Sequence, residues 1–167
     1  MRSIQKLTAA AMLSAIAVIS SHVLFIPFGP AKAFPVQHLV NVIAAVWLGP
    51  LPAVGSALLT SVLRNLLGIG TVLAFPGSLF GALLAGLLYR RWKKPAAAAA
   101  GEWIGTSGIG ALAAVPVAEF FLGVKSGAFY FVLPFFLSSL CGGLIGLLLL
   151  KFLPHAKVMH QDKNKAG

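Results

Sequence analysis

Arg90-Arg91-Trp92-Lys93-Lys94 is a short basic stretch that separates two long apolar runs, 71–89 and 96–122. Apolar runs of about 20 residues are typical of helices that cross a lipid bilayer. Further apolar runs, with polar gaps between them, occupy most of the remaining chain. The pattern predicts an all-α integral membrane protein with a single membrane domain over 1–153. Its six transmembrane helices are expected at about 7–28, 33–48, 52–67, 71–89, 96–122 and 128–153.

Positive charge is concentrated in alternate gaps between these runs. Ten of the 13 Lys and Arg side chains lie before the first run, in the 90–94 stretch or at the C-terminal end. Lys and Arg near the ends of transmembrane helices are retained on the cytoplasmic side. We therefore expect the plasma membrane of a prokaryote, with both termini in the cytoplasm. Residues 1–6 are then a short N-terminus, and 154–167 are a disordered tail.

The composition excludes most other classes of protein. Hydrophobic residues make up 59% of the chain and charged residues 10%, and the mean hydropathy is +0.94. This leaves too little polar surface to cover a soluble domain. The net charge of +10 would suit a nucleic-acid partner only if the basic side chains shared one folded face. They lie at helix ends instead, so membrane topology explains them.

Two of the predicted helices, the second and the third, are short. As helices, the second and third runs are roughly 20 to 24 Å long, whereas the hydrocarbon core is about 30 Å thick. They are therefore two tilted helices or a re-entrant pair.

The first run has an alternative interpretation, because, followed by Ala31-Lys32-Ala33, it resembles a signal peptide. At about 22 residues it exceeds the roughly 7 to 15 of a signal core, which favours a retained helix.

The sequence offers little support for catalysis. Gly105-Thr106-Ser107-Gly108 has the form of an intramembrane serine protease nucleophile, but neither the fifth nor the sixth run contains a histidine to act as base. Cys141 has no companion metal ligand, and the acids form no pair at metal-binding spacing. An ATP-binding P-loop motif is also missing, so any ATP-driven work requires partner subunits. We expect neither an enzyme nor a bound cofactor or metal.

Polar side chains inside the apolar runs indicate a binding site, because a charged group at the bilayer centre costs about 2.5–3.5 kcal/mol. Most of them gather toward the end opposite the basic stretch, which the topology places outside the cell. There are two alternatives to a binding site. The polar side chains extend to water at the membrane interface, or they form hydrogen bonds between helices. The candidate ligand-binding residues are Asn41, Asn65, Ser78, Gln37, His38, Phe75, Glu102, Trp103, Thr106 and Tyr130.

Small residues at four-residue spacing predict closely packed helices. Such stripes occur in the last three runs and, in the first run, at Ala11 and Ala15. The stripe in the first run faces either another protein or an internal neighbour.

The segment 27–35 contains three prolines and cannot continue a helix. It is either an ordered lid over the binding site or a plain connector.

Several short motifs together indicate a known family. They are AFPVQH (33–38) with Asn41, LGP (48–50), RNLLG (64–68), LAFPGS (73–78), GALLAGL (81–87) and GEWIGT (101–106). In combination they resemble ThiW-type proteins, the substrate-binding S components of energy-coupling factor (ECF) transporters.

The resemblance implies a six-transmembrane-helix bundle that binds a vitamin precursor on its outer side. The expected ligand is the thiazole moiety of thiamine, hydroxyethylthiazole. The resemblance also implies docking to a transmembrane T component and two ABC ATPases, with Ala11 and Ala15 facing these partners. A neutral ligand gives Arg64 no ionic partner, which makes it a weaker candidate contact than Asn41. A stand-alone secondary transporter and a non-transport membrane scaffold are the alternatives.

Overall fold

The computed structural model describes residues 3–28, 31–127 and 129–153. Its helices are α1 (Ser3–Ser20), α2 (Pro35–Leu48), α3 (Pro50–Leu66), α4 (Ala74–Trp92), α5 (Pro95–Trp103), α6 (Ala111–Leu122) and α7 (Val132–Phe152). A π-helical segment, Ile104–Gly110, joins α5 to α6, so that Pro95–Leu122 is one continuous helix of 28 residues. The described residues therefore form six helices, and the predicted all-α class is confirmed.

The connection between α1 and α2 contains a short antiparallel hairpin, β1 (Ile26–Phe28) and β2 (Ala31–Ala33). The apolar run predicts a helix to about 28, but α1 ends at Ser20. Ile26 precedes Pro27, and the residue before a proline is disfavoured in the helical region. The end of the first apolar run is therefore an extended strand, although its hydrophobicity is that of a membrane helix.

Prolines mark the beginnings of α2, α3 and α5, at Pro35, Pro50 and Pro95. Proline suits the first position of a helix because its backbone lacks the N–H that would have no partner there. These starts lie within two residues of those predicted at 33, 52 and 96. Of the remaining helices, α4 and α7 begin at Ala74 and Val132, about a turn later than the predicted 71 and 128, and α1 begins at Ser3, about a turn before the predicted 7.

Short connections reverse the chain and place successive helices side by side. Gly49 alone links α2 to α3, with a φ of +90° that favours glycine, and Lys93-Lys94 link α4 to α5. Two ends of the bundle result. The end with the 90–94 stretch is called the basic end below, and the end with the β1–β2 hairpin is called the hairpin end.

The outside of the bundle is strongly apolar. Phe120 is 83% exposed, and Leu51 and Phe152 are each 79% exposed. Among the described residues, three helices are long and apolar enough to cross a membrane, judged by length and composition: Ser3–Ser20, Pro95–Leu122 and Val132–Phe152. Apolar side chains outside and polar side chains inside are the arrangement expected of a protein whose solvent is lipid.

Glycines allow α4 to pack against its neighbours at very short distance. A Cβ added to Gly101 or Gly105 would overlap the backbone of α4 at Leu84 or Phe80, and one added to Gly86 would overlap Pro50 of α3. Backbone atoms cannot rotate away as side chains can. The glycine stripes predicted from the sequence therefore lie where helices meet, as is common in membrane proteins.

We expect Gly105→Ala to destabilise the bundle by about 1–3 kcal/mol, because the added methyl group overlaps the α4 backbone. Thermal unfolding in detergent, followed by circular dichroism, measures the change. Gly108→Ala is the matched control in the same π-helical segment, since a Cβ there has no atom within 4 Å. Equal melting temperatures for the two variants would contradict the close contact between α4 and the π-helical segment.

Candidate functional site

Seven polar side chains are buried together inside the bundle, toward the hairpin end. They come from five different helical segments, α2 to α5 and the π-helical segment, and none is more than 9% exposed. This polar cluster consists of Gln37, His38, Asn41, Arg64, Ser78, Glu102 and Thr106. Burial of so many polar groups in an apolar bundle is costly unless they hydrogen bond to one another.

Glu102 lies at the centre of the polar cluster and is fully buried. Its Oε1 lies 2.6 Å from Nδ1 of His38, 3.0 Å from Oγ1 of Thr106 and 3.2 Å from Nδ2 of Asn41. Asn41 and Thr106 donate to this oxygen, and Nδ1 of His38 lies within hydrogen-bond distance of it. The amide of Asn41 also donates to Ser78, at 3.2 Å from its hydroxyl oxygen. One carboxylate thereby ties α5 to α2 and α4.

Gly81 makes room for this carboxylate on α4. A Cβ added there would overlap Oε2 of Glu102 and Oγ1 of Thr106. Oε2 faces this glycine and has no hydrogen-bond partner among the described residues. The small residue on α4 therefore allows an acidic side chain to fit between closely packed helices.

Arg64 forms the other charged part of the polar cluster. Its Nη1 donates to Oε1 of Gln37, and Nε2 of Gln37 donates to the hydroxyl of Ser61 at 3.2 Å. The ring of Phe34 covers the guanidinium, with its centroid 3.6 Å from Cζ, a cation–π contact. The backbone N–H of Phe34 in turn donates to Oγ of Ser138 on α7, at 3.0 Å.

A cavity of ≈ 80 Å³ adjoins the polar cluster. A larger cavity of ≈ 450 Å³ lies at the hairpin end, where α1, α6 and the loops meet. Phe34, Thr71 and Leu73 line both cavities. Phe34 therefore borders both the small cavity beside the polar cluster and the wide cavity at the hairpin end. Polar-cluster residues that line the small cavity are Gln37, His38, Arg64, Ser78 and Thr106.

The structure brings together six of the ten predicted ligand-binding residues. These are Gln37, His38, Asn41, Ser78, Glu102 and Thr106, all members of the polar cluster. Of the six, Asn41 and Glu102 lie behind the small cavity and do not line it. Asn41 and Glu102 instead hydrogen bond to side chains that line the cavity.

The other four predicted residues lie elsewhere. Asn65 donates to the backbone oxygens of Ser61 and Thr71, at 2.8 and 3.1 Å, and so shapes the α3–α4 turn. Trp103 donates to the backbone oxygen of Ser139, at 2.9 Å, and so pairs α5 with α7. Tyr130 is exposed and lines the larger cavity. Phe75 is half-buried and lines neither cavity.

Arg64 is the residue whose place in the site the sequence analysis underestimated. Small and polar residues recur along α3 at helical spacing, and this buried face is Ala53, Ser56, Ala57, Thr60, Ser61 and Arg64. The periodicity extends to Arg64 and places it on the inward face. Ser138 was also missed as a site residue, although it lies on the glycine stripe of α7.

Comparison with known protein families finds a match over most of the chain. The family model described as thiamine-precursor transporter protein (ThiW) matches residues 7–156. The chain belongs to the ThiW family. The resemblance proposed from the sequence motifs is therefore confirmed, and the ThiW match includes every residue of the polar cluster. Neither a curated protein nor a solved structure matches the chain.

We expect Glu102→Gln to lower the free energy of unfolding by about 1.5–3 kcal/mol, the usual range for hydrogen bonds to a charged group. The substitution keeps the shape of the side chain but removes the charge that His38, Asn41 and Thr106 share. Thermal unfolding measures the loss. Glu119→Gln is the control, because Glu119 lies on the same long helix and is exposed. A loss of equal size in both variants would show that Glu102 does not organise the polar cluster.

Proposed function

We propose that this ThiW-family protein is the S component of an ECF-type ABC importer and binds the thiazole moiety of thiamine, hydroxyethylthiazole. The observation that carries the proposal is the polar cluster with its cavity, buried in a protein of a thiamine-precursor transporter family. A small heteroaromatic ligand requires an enclosed space with a few fixed hydrogen-bonding groups. Ser78, His38 and Thr106 supply such groups at the wall of the small cavity.

Under this proposal all six helices cross the bilayer and the hairpin end faces outward. Lys and Arg favour the cytoplasmic side, and the 90–94 stretch lies at the opposite end of the bundle. The ligand then arrives through the larger cavity at the hairpin end. Phe34, directly before α2, borders both this cavity and the small one and acts as a lid. Residues 29 and 30 of the loop before it lie outside the described residues.

One side of α1 packs inside the bundle and the other is exposed, and this difference supports a partner-facing role for the exposed side. Its inner side packs on α3, where the hydroxyls of Ser14 and Ser56 are 2.9 Å apart. On its outer side, Ala11 and Ala15 are exposed together with large apolar residues such as Leu7. Small residues in an apolar face allow another helix to approach closely. The T component is the partner proposed for this face, with two ABC ATPases to supply energy.

We expect the purified protein to bind hydroxyethylthiazole in detergent without ATP, as measured by calorimetry. Thiamine and its pyrimidine half are the comparison ligands. Ser78→Ala removes one hydroxyl from the cavity wall and is expected to weaken binding about fivefold, or about 1 kcal/mol. Ser107→Ala is the control, since its hydroxyl bonds to the backbone of Trp103 and does not line the small cavity. No binding of hydroxyethylthiazole would remove the thiazole assignment.

Reconstitution in liposomes separates the transporter classes. An S component takes up ligand only with the T component and the ATPases, whereas a stand-alone secondary transporter responds to an ion gradient alone. A membrane scaffold does neither.

The double substitution Ala11→Leu with Ala15→Leu is expected to reduce co-purification with the T component at least several-fold, because the larger side chains prevent close helix contact. Ligand binding in detergent should be retained, since both alanines lie outside the polar cluster. Ala96→Leu, at an exposed alanine of α5, is the control. Undiminished co-purification of the double variant would remove α1 as the docking face.

A further inference from the structure

Arg64 is a buried cation that has no acidic partner in the described residues. It is 1% exposed, and no carboxylate of the described residues lies within salt-bridge distance of its guanidinium. The neutral amide of Gln37 and the ring of Phe34 are the groups that contact its guanidinium. Its Nε is buried and lacks a hydrogen-bond partner. A guanidinium in this position is expensive unless something compensates its charge.

The acidic residues that the structure describes do not provide that compensation. The whole sequence contains three acidic residues. Glu102 is bound to His38, Asn41 and Thr106 and does not line the small cavity. Glu119 is exposed on α6, and Asp162 lies outside the described residues. The described wall of the small cavity therefore contains a cation, Arg64, and no carboxylate.

The geometry of Arg64 leaves donors for a ligand. A guanidinium carries five N–H donors, all in its plane. Phe34 covers the face of that plane, and Gln37 accepts from one nitrogen at the edge. No described residue accepts a hydrogen bond from Nε. Guanidinium groups suit the two oxygens of a carboxylate, which they bind in a bidentate manner.

We propose that the small cavity selects a ligand that carries a carboxylate, and that Arg64 binds this group. The inference rests on the proposed function and refines its substrate class: a thiazole with a monoanionic acidic substituent is preferred over the neutral alcohol. One buried guanidinium neutralises one negative charge. A carboxylate also suits a cavity of ≈ 80 Å³ better than a phosphate ester, which is larger and carries more charge.

The test compares matched ligands on the purified full-length protein by calorimetry at neutral pH. The pair is hydroxyethylthiazole and its acetic acid analogue, in which a carboxylate replaces the CH₂OH group. We expect the carboxylate to bind at least about tenfold more tightly, as charge-assisted hydrogen bonds allow. Equal or tighter binding of the alcohol overturns the inference and leaves the proposed function standing. Tightest binding of the phosphate ester of hydroxyethylthiazole also overturns the inference, because it contradicts the choice of a monoanion.

Substitutions assign the preference to Arg64. Arg64→Gln is expected to abolish the carboxylate preference, and Arg64→Lys to retain part of it, since the charge remains but the planar fork is lost. Arg90→Gln, at an exposed arginine of the basic end, should leave both affinities unchanged. A preference that persists in a folded Arg64→Gln protein overturns the role of Arg64. The comparison on the unsubstituted protein does not depend on the folding of any variant.

A second pair without the thiazole ring, phenylacetate and phenylethanol, separates this inference from the proposed function. Preference for phenylacetate with no binding of either thiazole ligand removes the thiazole assignment and supports the carboxylate site. Absence of a carboxylate preference in both pairs overturns the inference. Binding of the thiazole alcohol in that case still supports the proposed function.

Discussion

A carboxylate inside an apolar helix bundle must be surrounded by hydrogen-bond donors, because neither water nor lipid can stabilise its charge there. Glu102 meets this requirement at Oε1, which has partners from α2 and the π-helical segment and which Asn41 links to Ser78 on α4, while Oε2 faces Gly81 without a partner among the described residues. The position of each donor is therefore linked to the others. The wall of the small cavity is arranged as a consequence, since His38, Ser78 and Thr106 belong both to this network and to the wall.

Close helix packing makes that network possible. Gly81 leaves space for the carboxylate, while Gly101 and Gly105 bring their helix against the backbone of α4. In lipid, apolar burial does not drive helices together as it does in water, so close van der Waals contact and interhelical hydrogen bonds carry more of the association. The small residues and the polar cluster thus depend on one another.

The sequence was sufficient to predict the helical class, the family and most of the polar cluster. The sequence signal for the polar cluster was strong, because a polar side chain in a long apolar run is rare and usually faces the protein interior. Hydrophobicity could not locate the end of α1, since a lipid-facing helix and an apolar strand have the same composition. Pro27 disfavours helix only at Ile26, well beyond the end of α1 at Ser20. Trp103 and Asn65 were assigned to the ligand from their residue types. Their partners are backbone oxygens, that of Ser139 on α7 for Trp103 and those of Ser61 and Thr71 for Asn65. The packing of α5 on α7 and the fold of the α3–α4 turn, which bring Ser139 and Thr71 into place, are seen only in the structure.

The one-residue connection at Gly49 has a structural consequence for the cavity. A link this short has no slack, so α2 and α3 cannot slide past each other without a break in one of them. The relative height of Gln37 on α2 and Arg64 on α3 is therefore constrained by covalent geometry as well as by their hydrogen bond. This side of the chamber is preorganised, and a ligand that binds there does not bear the entropic penalty of ordering it.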